Sequence, residues 1–149
     1  KFVNDYKQYA SDPEVTGPTQ ALSGAAMMFR RQVYNEIGGF DEVFFMYGED
    51  LDFCKRVLDK GWKTVYVSEA KIIHFGGQSS GKRRLKSLIN FYEAMWLYYT
   101  KHFKYIFLIN LLVWFGIKLR MVLALIINIF NEFIDFRNRF LTRFRKSSA

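Results

Sequence analysis

Gly38-Gly39-Phe40-Asp41-Glu42, then Tyr47-Gly48-Glu49-Asp50-Leu51-Asp52, then His74-Phe75-Gly76-Gly77-Gln78-Ser79 follow one another within fewer than fifty residues. A glycine pair turns the chain and delivers a carboxylate. An acidic pair then opens a helix, where the positive end of the helix dipole favours negative charge. A histidine closes a second apolar run. The glycine-rich loop after it permits close backbone approach to phosphate. A base, a metal ligand and the turns that aim them fit inside this one stretch.

Short elements are expected on either side of it. Residues 1–20 hold both prolines, Pro13 and Pro18, and read as loop with one edge segment. Residues 21–29 are an apolar run that suits a buried strand. Residues 31–37 suit a short helix stopped by Gly38-Gly39. Residues 49–60 form the clearest helix of the first half, with Leu51, Cys54, Val57 and Leu58 on one face. Asp52, Lys55, Asp59 and Lys60 take the other face, and Gly61 follows as a C-cap. Two short strands are expected at 64–67 and 71–75, and a flexible loop at 76–81.

Half of the 149 residues are hydrophobic and 19% are aromatic, which excludes a disordered chain. Cys54 is the single cysteine, so an internal disulfide and zinc-finger spacing are both excluded. A reducing compartment follows. No signal peptide opens the chain, and its first residue is Lys, so an excised or incomplete piece is expected. The net charge of +8 is unevenly spread. Residues 1–80 carry 9 Lys/Arg against 11 Asp/Glu, whereas residues 81–149 carry 13 against 3. That asymmetry points to a basic appendage that meets phosphate or a membrane. The basic half is also the more apolar half, which favours lipid over nucleic acid.

The ordered motifs of residues 20–80 resemble the C-terminal half of a family 2 glycosyltransferase catalytic domain, of the rhamnosyl- and galactofuranosyl-transferase kind. The resemblance is carried by Leu22-Ser23-Gly24-Ala25, by Gly38 to Glu42, and by Phe44-Phe45. It continues through Glu49-Asp50-Leu51-Asp52, Arg56 and Gly61-Trp62, and ends in His74 with Gly77 and Ser79. It implies an α/β fold: the C-terminal part of a GT-A, Rossmann-like domain over residues 1–84. A helical, hydrophobic and basic tail would occupy residues 85–149. It also implies a nucleotide-sugar donor, a glycan or polyprenyl-diphosphate-linked acceptor, and a divalent metal (Mn or Mg). The nucleotide-binding half, with the main metal carboxylates, would lie upstream, so these residues alone are expected to transfer no sugar.

By position alone Asp50 is either a general base or a helix cap; the resemblance implies the base. Asp50-Leu51-Asp52 is not expected to chelate one ion, because residues two apart on a helix point about 200° apart. Asp41 either closes its own turn or contacts the acceptor, and Glu49 either supports the site from behind or contacts the acceptor, rather than acting as the base. Arg56 reads as a structural ion-pair partner and Trp62 as core. A lone histidine is usually structural, but the resemblance implies that His74 joins the metal shell. Ser79, Lys82, Arg83 and Arg84 are either a solvated run or contacts to diphosphate.

Residues 105–130 would make a helix of about 39 Å, long enough for a ~30 Å hydrocarbon layer. Lys118 and Arg120 interrupt it, and a helix break at 116–120 is expected, with two pieces in one leaflet. Beyond it, Arg139 and Arg143 face away from Phe133 and Phe140 on a basic amphipathic helix suited to an anionic membrane. The functional expectation is an inverting sugar transfer at the cytoplasmic face of a bacterial membrane. The alternative is a non-catalytic membrane-binding scaffold derived from such a domain.

Overall fold

A computed structural model describes residues 12–75, 84–103 and 105–147. The chain divides into two compact units, Lys1–Ser79 and Ser80–Ala149. In the first, strand β1 (Gly17–Thr19) is followed by helices α1 (Arg31–Ile37) and α2 (Glu49–Asp59) and by strand β2 (Thr64–Tyr66). The second holds helices α3 (Arg84–His102) and α4 (Phe107–Ser147).

β1 and β2 pair antiparallel, with Gly17 opposite Tyr66 and Thr19 opposite Thr64. Pro18 sits in the middle of β1, a residue that only an edge or a two-stranded ribbon tolerates. The Thr64 hydroxyl donates to the Thr19 carbonyl across the ribbon. No parallel sheet is present among the described residues, so the chain is a mixed α/β unit weighted toward helix.

α1 stops where the sequence places glycine. Gly38 adopts φ +77°, a conformation that favours a residue without Cβ, and its N–H donates to the Tyr34 carbonyl at 2.8 Å. α2 carries Glu49, Asp50 and Asp52 in its first turn and Arg56 in its last, in line with its dipole. Its end is a Schellman turn. The Gly61 N–H bonds the Leu58 carbonyl at 2.9 Å, and the Trp62 N–H bonds the Val57 carbonyl at 3.2 Å. The hydrophobic contact that accompanies such turns is present, since Val57 and Trp62 pack in the same cluster with Val33, Phe53, Met27 and Ile37. The Trp62 indole N–H also donates to Glu36 Oε2 at 2.8 Å, so the core tryptophan expected here keeps its polar end satisfied.

Two expected strands are absent. Residues 21–29 form a turn and irregular chain, and Met28 is 96% exposed. The backbone there is engaged by side chains of α2 rather than by a neighbouring strand. The Leu22 N–H lies 3.4 Å from Cys54 Sγ, and the Gly24 N–H donates to Asp50. Residues 71–75 are irregular as well, with Ile73 86% exposed. Strand propensity is realised only against a partner strand, and none pairs with this segment among the described residues.

The buried face of α2 also differs from expectation. It consists of Asp52, Phe53, Cys54 and Val57, and Asp52 is 0% exposed. Hydropathy places an aspartate outside. Arg56, one turn later, reverses that by pairing with it, Nε to Oδ2 at 2.8 Å. On the expected polar face, Lys55 and Asp59 form a surface ion pair.

In the second unit α4 runs unbroken through Gly116, Lys118 and Arg120, which corrects the expected break. Lys, Leu and Arg are good helix formers, proline is absent, and Gly116 costs only about 1 kcal/mol. Charge in an apolar segment is a problem of environment, not of helical hydrogen bonding. At 41 residues α4 is roughly 60 Å long. Its stretch Phe107–Arg139 is long and apolar enough to cross a membrane, by length and composition.

Candidate active site

The site is built on the first turn of α2. Tyr47 and Gly48 both adopt left-handed backbone, at φ 69° and 82°. For tyrosine that conformation is uncommon, and such strain concentrates where a chain must aim a side chain. The helix then starts at Glu49 with no side-chain cap. Asp50 is half-buried. Its Oδ1 accepts from the Leu51 N–H at 2.8 Å and its Oδ2 from the Gly24 N–H at 2.9 Å. The capping role is therefore partly real. It also fixes the carboxylate's direction and leaves further lone pairs on each oxygen.

The Leu22-Ser23-Gly24-Ala25 segment is held against α2 at two points one helical turn apart, by Cys54 at Leu22 and by Asp50 at Gly24. A Cβ on Gly24 would touch Asp50 Cβ at 3.5 Å, so the glycine marks a close approach. The Cys54 contribution has no counterpart in motif or hydropathy. Burial pushes the Cys54 thiol above its ordinary value, and the nearby Asp50 charge acts in the same direction. The group is a protonated packing residue, not a nucleophile.

Glu49 presents a different problem. Its Oε2 is buried and has no hydrogen-bond partner among the described residues. Buried carboxylate oxygens are rarely left so, and a hydroxyl or water donor would satisfy it. Asp41 closes its own turn: its Oδ1 accepts from the Val43 N–H at 3.0 Å, and its carbonyl accepts from the Phe44 N–H at 3.1 Å. The turn reading of Asp41 is thus observed.

Arg56 is the residue whose reach sequence reasoning underestimated. Besides Asp52, its Nη1 donates to the Ile37 carbonyl at 2.7 Å and its Nη2 to the Gly39 carbonyl at 2.8 Å. Its guanidinium also lies 5.5 Å from the Phe53 ring centroid. The expected structural ion pair is confirmed, and it ties the Gly38-Gly39 turn to the helix bearing Asp50.

His74 is exposed in irregular chain. Among the described residues, no group of three His, Cys, Asp or Glu side chains is placed to hold a metal ion. The donors present do not by themselves make a divalent-cation site. Arg84 is exposed at the start of α3. Ser79, Lys82 and Arg83 lie outside the described residues. Phe133 and Arg139 are exposed on α4; the side chains of Phe140 and Arg143 lie outside the described set.

Residues 2–141 match the family described as Glycosyl transferase family group 2. The chain belongs to this family. Its membership covers the acidic helix, the clamped Leu22-Ser23-Gly24-Ala25 segment and most of the tail. The chain is 33% identical over 97 residues to an N-acetylglucosaminyl-diphospho-decaprenol L-rhamnosyltransferase of Mycobacterium tuberculosis, covering 65% of this chain and 31% of that protein. It is 36% identical over 53 residues to the rhamnosyltransferase WbbL of Escherichia coli, covering 36% of this chain and 20% of that protein. It is 28% identical over 82 residues to the O-antigen biosynthesis protein RfbC of Myxococcus xanthus, covering 55% of this chain and 6% of that protein. The chain thus spans less than a third of the length of these relatives. No solved structure matches it.

Proposed function

We propose that this family group 2 chain supplies the base-bearing and acceptor side of an inverting glycosyltransferase with a GT-A, Rossmann-like catalytic domain. The observation that carries the proposal is Asp50, a carboxylate at a helix start whose two oxygens are held by the Gly24 and Leu51 amides. An acceptor hydroxyl at one of the remaining lone pairs would pass its proton to Asp50 as its oxygen attacks the anomeric carbon. The nucleoside diphosphate would depart from the opposite face, with no enzyme-bound intermediate. Glu49 Oε2 would accept a second acceptor hydroxyl, which answers its want of a donor. Asp41 would contact the acceptor from the rim of its turn. Ser79, Lys82, Arg83 and Arg84 would meet the diphosphate of donor or acceptor.

The rhamnosyltransferase relatives, one of them named for a decaprenol-diphosphate-linked acceptor, support a rhamnosyl group as the sugar and a polyprenyl-diphosphate-linked glycan as the acceptor. The family resemblance also implies a divalent cation (Mn or Mg). His74 would bring one donor to it.

The tail would hold the enzyme at the cytoplasmic, anionic face of a bacterial membrane, where such an acceptor resides. Crossing the bilayer is close to neutral for α4. Fourteen Leu, Ile, Phe and Val residues between positions 107 and 127 contribute roughly −4 to −8 kcal/mol, while Lys118 and Arg120 together cost roughly 5–7 kcal/mol.

The test is transfer by the full-length protein from a panel of nucleotide sugars to a short polyprenyl-diphosphate-linked acceptor. Transfer of a deoxyhexose with inversion is expected. Hydrolysis or transfer with retention would reject the proposed chemistry.

A further inference from the structure

The arrangement of side chains around α4 bears on how a helix with charges in its middle meets lipid. Between positions 107 and 130, every partly buried side chain lies within about 80° of the line through Asn110 and Asn128. These two residues are eighteen apart, five turns at about 3.6 residues per turn. Ile117, Met121 and Ala124 continue the row between them. On the opposite side Leu108, Leu112, Phe115, Leu119, Ile126 and Phe133 form a row of exposed apolar side chains. None of the most apolar window is buried within the protein.

The protein's own polar contacts fall on the asparagine side. The Tyr99 hydroxyl, from α3, donates to Asn110 Oδ1 at 2.9 Å, and Asn110 Nδ2 donates to the Tyr105 carbonyl at 3.1 Å. The ring of Tyr99 stacks against Trp96, Phe103 and Tyr105, which gathers amphipathic aromatics at the turn between α3 and α4. Such rings suit the headgroup depth of a bilayer.

Lys118 and Arg120 lie about 80° to either side of the asparagine line. In a crossing helix both heads would sit near the middle of the hydrocarbon. With the asparagine row turned away from the bilayer, both stems run along the flanks of the helix and both heads reach the same surface. Residues 101–149 carry 9 Lys/Arg against 2 Asp/Glu, a charge complementary to anionic headgroups. Arg137 falls on the apolar row beyond Phe133, and marks where the sunk part ends.

We infer that α4 lies in the plane of one leaflet, with the row from Leu108 to Phe133 sunk into the acyl boundary and the partly buried Asn110–Asn128 row on the side away from the acyl chains. The inference rests on the membrane association proposed above, and gives it a geometry. α4 then acts as a monotopic anchor along its length rather than as a span.

Nitroxide labels placed singly in the full-length protein test this. Row positions 108, 115 and 126 are compared with asparagine-side positions 117, 124 and 128. The protein is bound to phosphatidylcholine vesicles containing a minority of phosphatidylglycerol, and collision with oxygen and with a water-soluble nickel complex reports depth. The expected result is two levels: the three row sites share one depth, about 5–10 Å below the headgroup boundary, and the other three lie shallower, at or above that boundary. A depth that peaks at position 117 and falls toward both ends on either face would show a crossing helix and overturn the inference while leaving membrane association intact. Six equally nickel-accessible sites, with protein that fails to float with vesicles, would overturn the membrane association and the inference with it.

Discussion

Asp50 receives one backbone N–H on each carboxylate oxygen, one from its neighbour Leu51 and one from Gly24, 26 residues before it in the chain. Its place at the head of a helix was legible from the acidic pair and the glycine before it. Its grip on Gly24 was not, because a side chain to amide bond across that distance leaves no periodic trace. The same holds for Cys54: its apolar setting was legible, its contact with Leu22 was not. Asp52 was misplaced because hydropathy marks a carboxylate as solvated without regard to a guanidinium one turn on. Two outcomes belong to this scale. Glu49→Gln in the full-length enzyme is expected to raise the acceptor KM about tenfold while leaving donor affinity unchanged, since a hydrogen bond to a charged group contributes roughly 1.5–3 kcal/mol. Titration calorimetry of the donor and acceptor-saturation kinetics would measure the two effects. Cys54, buried and protonated, should resist maleimide in the folded protein and react on unfolding, as read by mass mapping of its peptide.

At the level of elements, Arg56 joins α2 to the end of α1 and to the Gly38-Gly39 turn through one side chain. Arg56→Met would take the guanidinium from the buried Asp52 carboxylate and from two carbonyls. The expected cost is about 3–5 kcal/mol of stability, read from urea unfolding. Arg56→Met combined with Asp52→Leu should recover part of that loss, because the buried charge that lost its cation is gone. Equal losses in the single and double variants would mean the carbonyl contacts, not the pair, carry the effect. The helices α1 and α2 were legible from glycine stops, acidic starts and apolar spacing. The strands were less so. Residues 21–29 and 71–75 have strand composition, yet a strand exists only with a neighbour, and composition does not report one. The expected break in α4 failed for the converse reason: a cost of burying charge was read as a cost of helix formation.

For the whole molecule, family and charge asymmetry were legible in ordered motifs and in a count of Lys and Arg, while the clamp that orients the site came only from the fold. The tail should bind anionic vesicles in flotation assays. Arg139→Glu with Arg143→Glu is expected to weaken binding to anionic vesicles more than to neutral ones, whereas Phe133→Ser with Phe140→Ser should weaken both. Neither substitution touches Asp50. The central claim is that this chain brings the base to a sugar transfer, and the most direct measurement is turnover of the full-length enzyme carrying Asp50→Asn. General-base catalysis contributes roughly 10²–10⁴-fold, so turnover should fall at least about a hundredfold with donor binding nearly intact. Turnover close to that of the unsubstituted enzyme, at equal donor affinity, would contradict the account and leave Asp50 as a clamp for Gly24 alone.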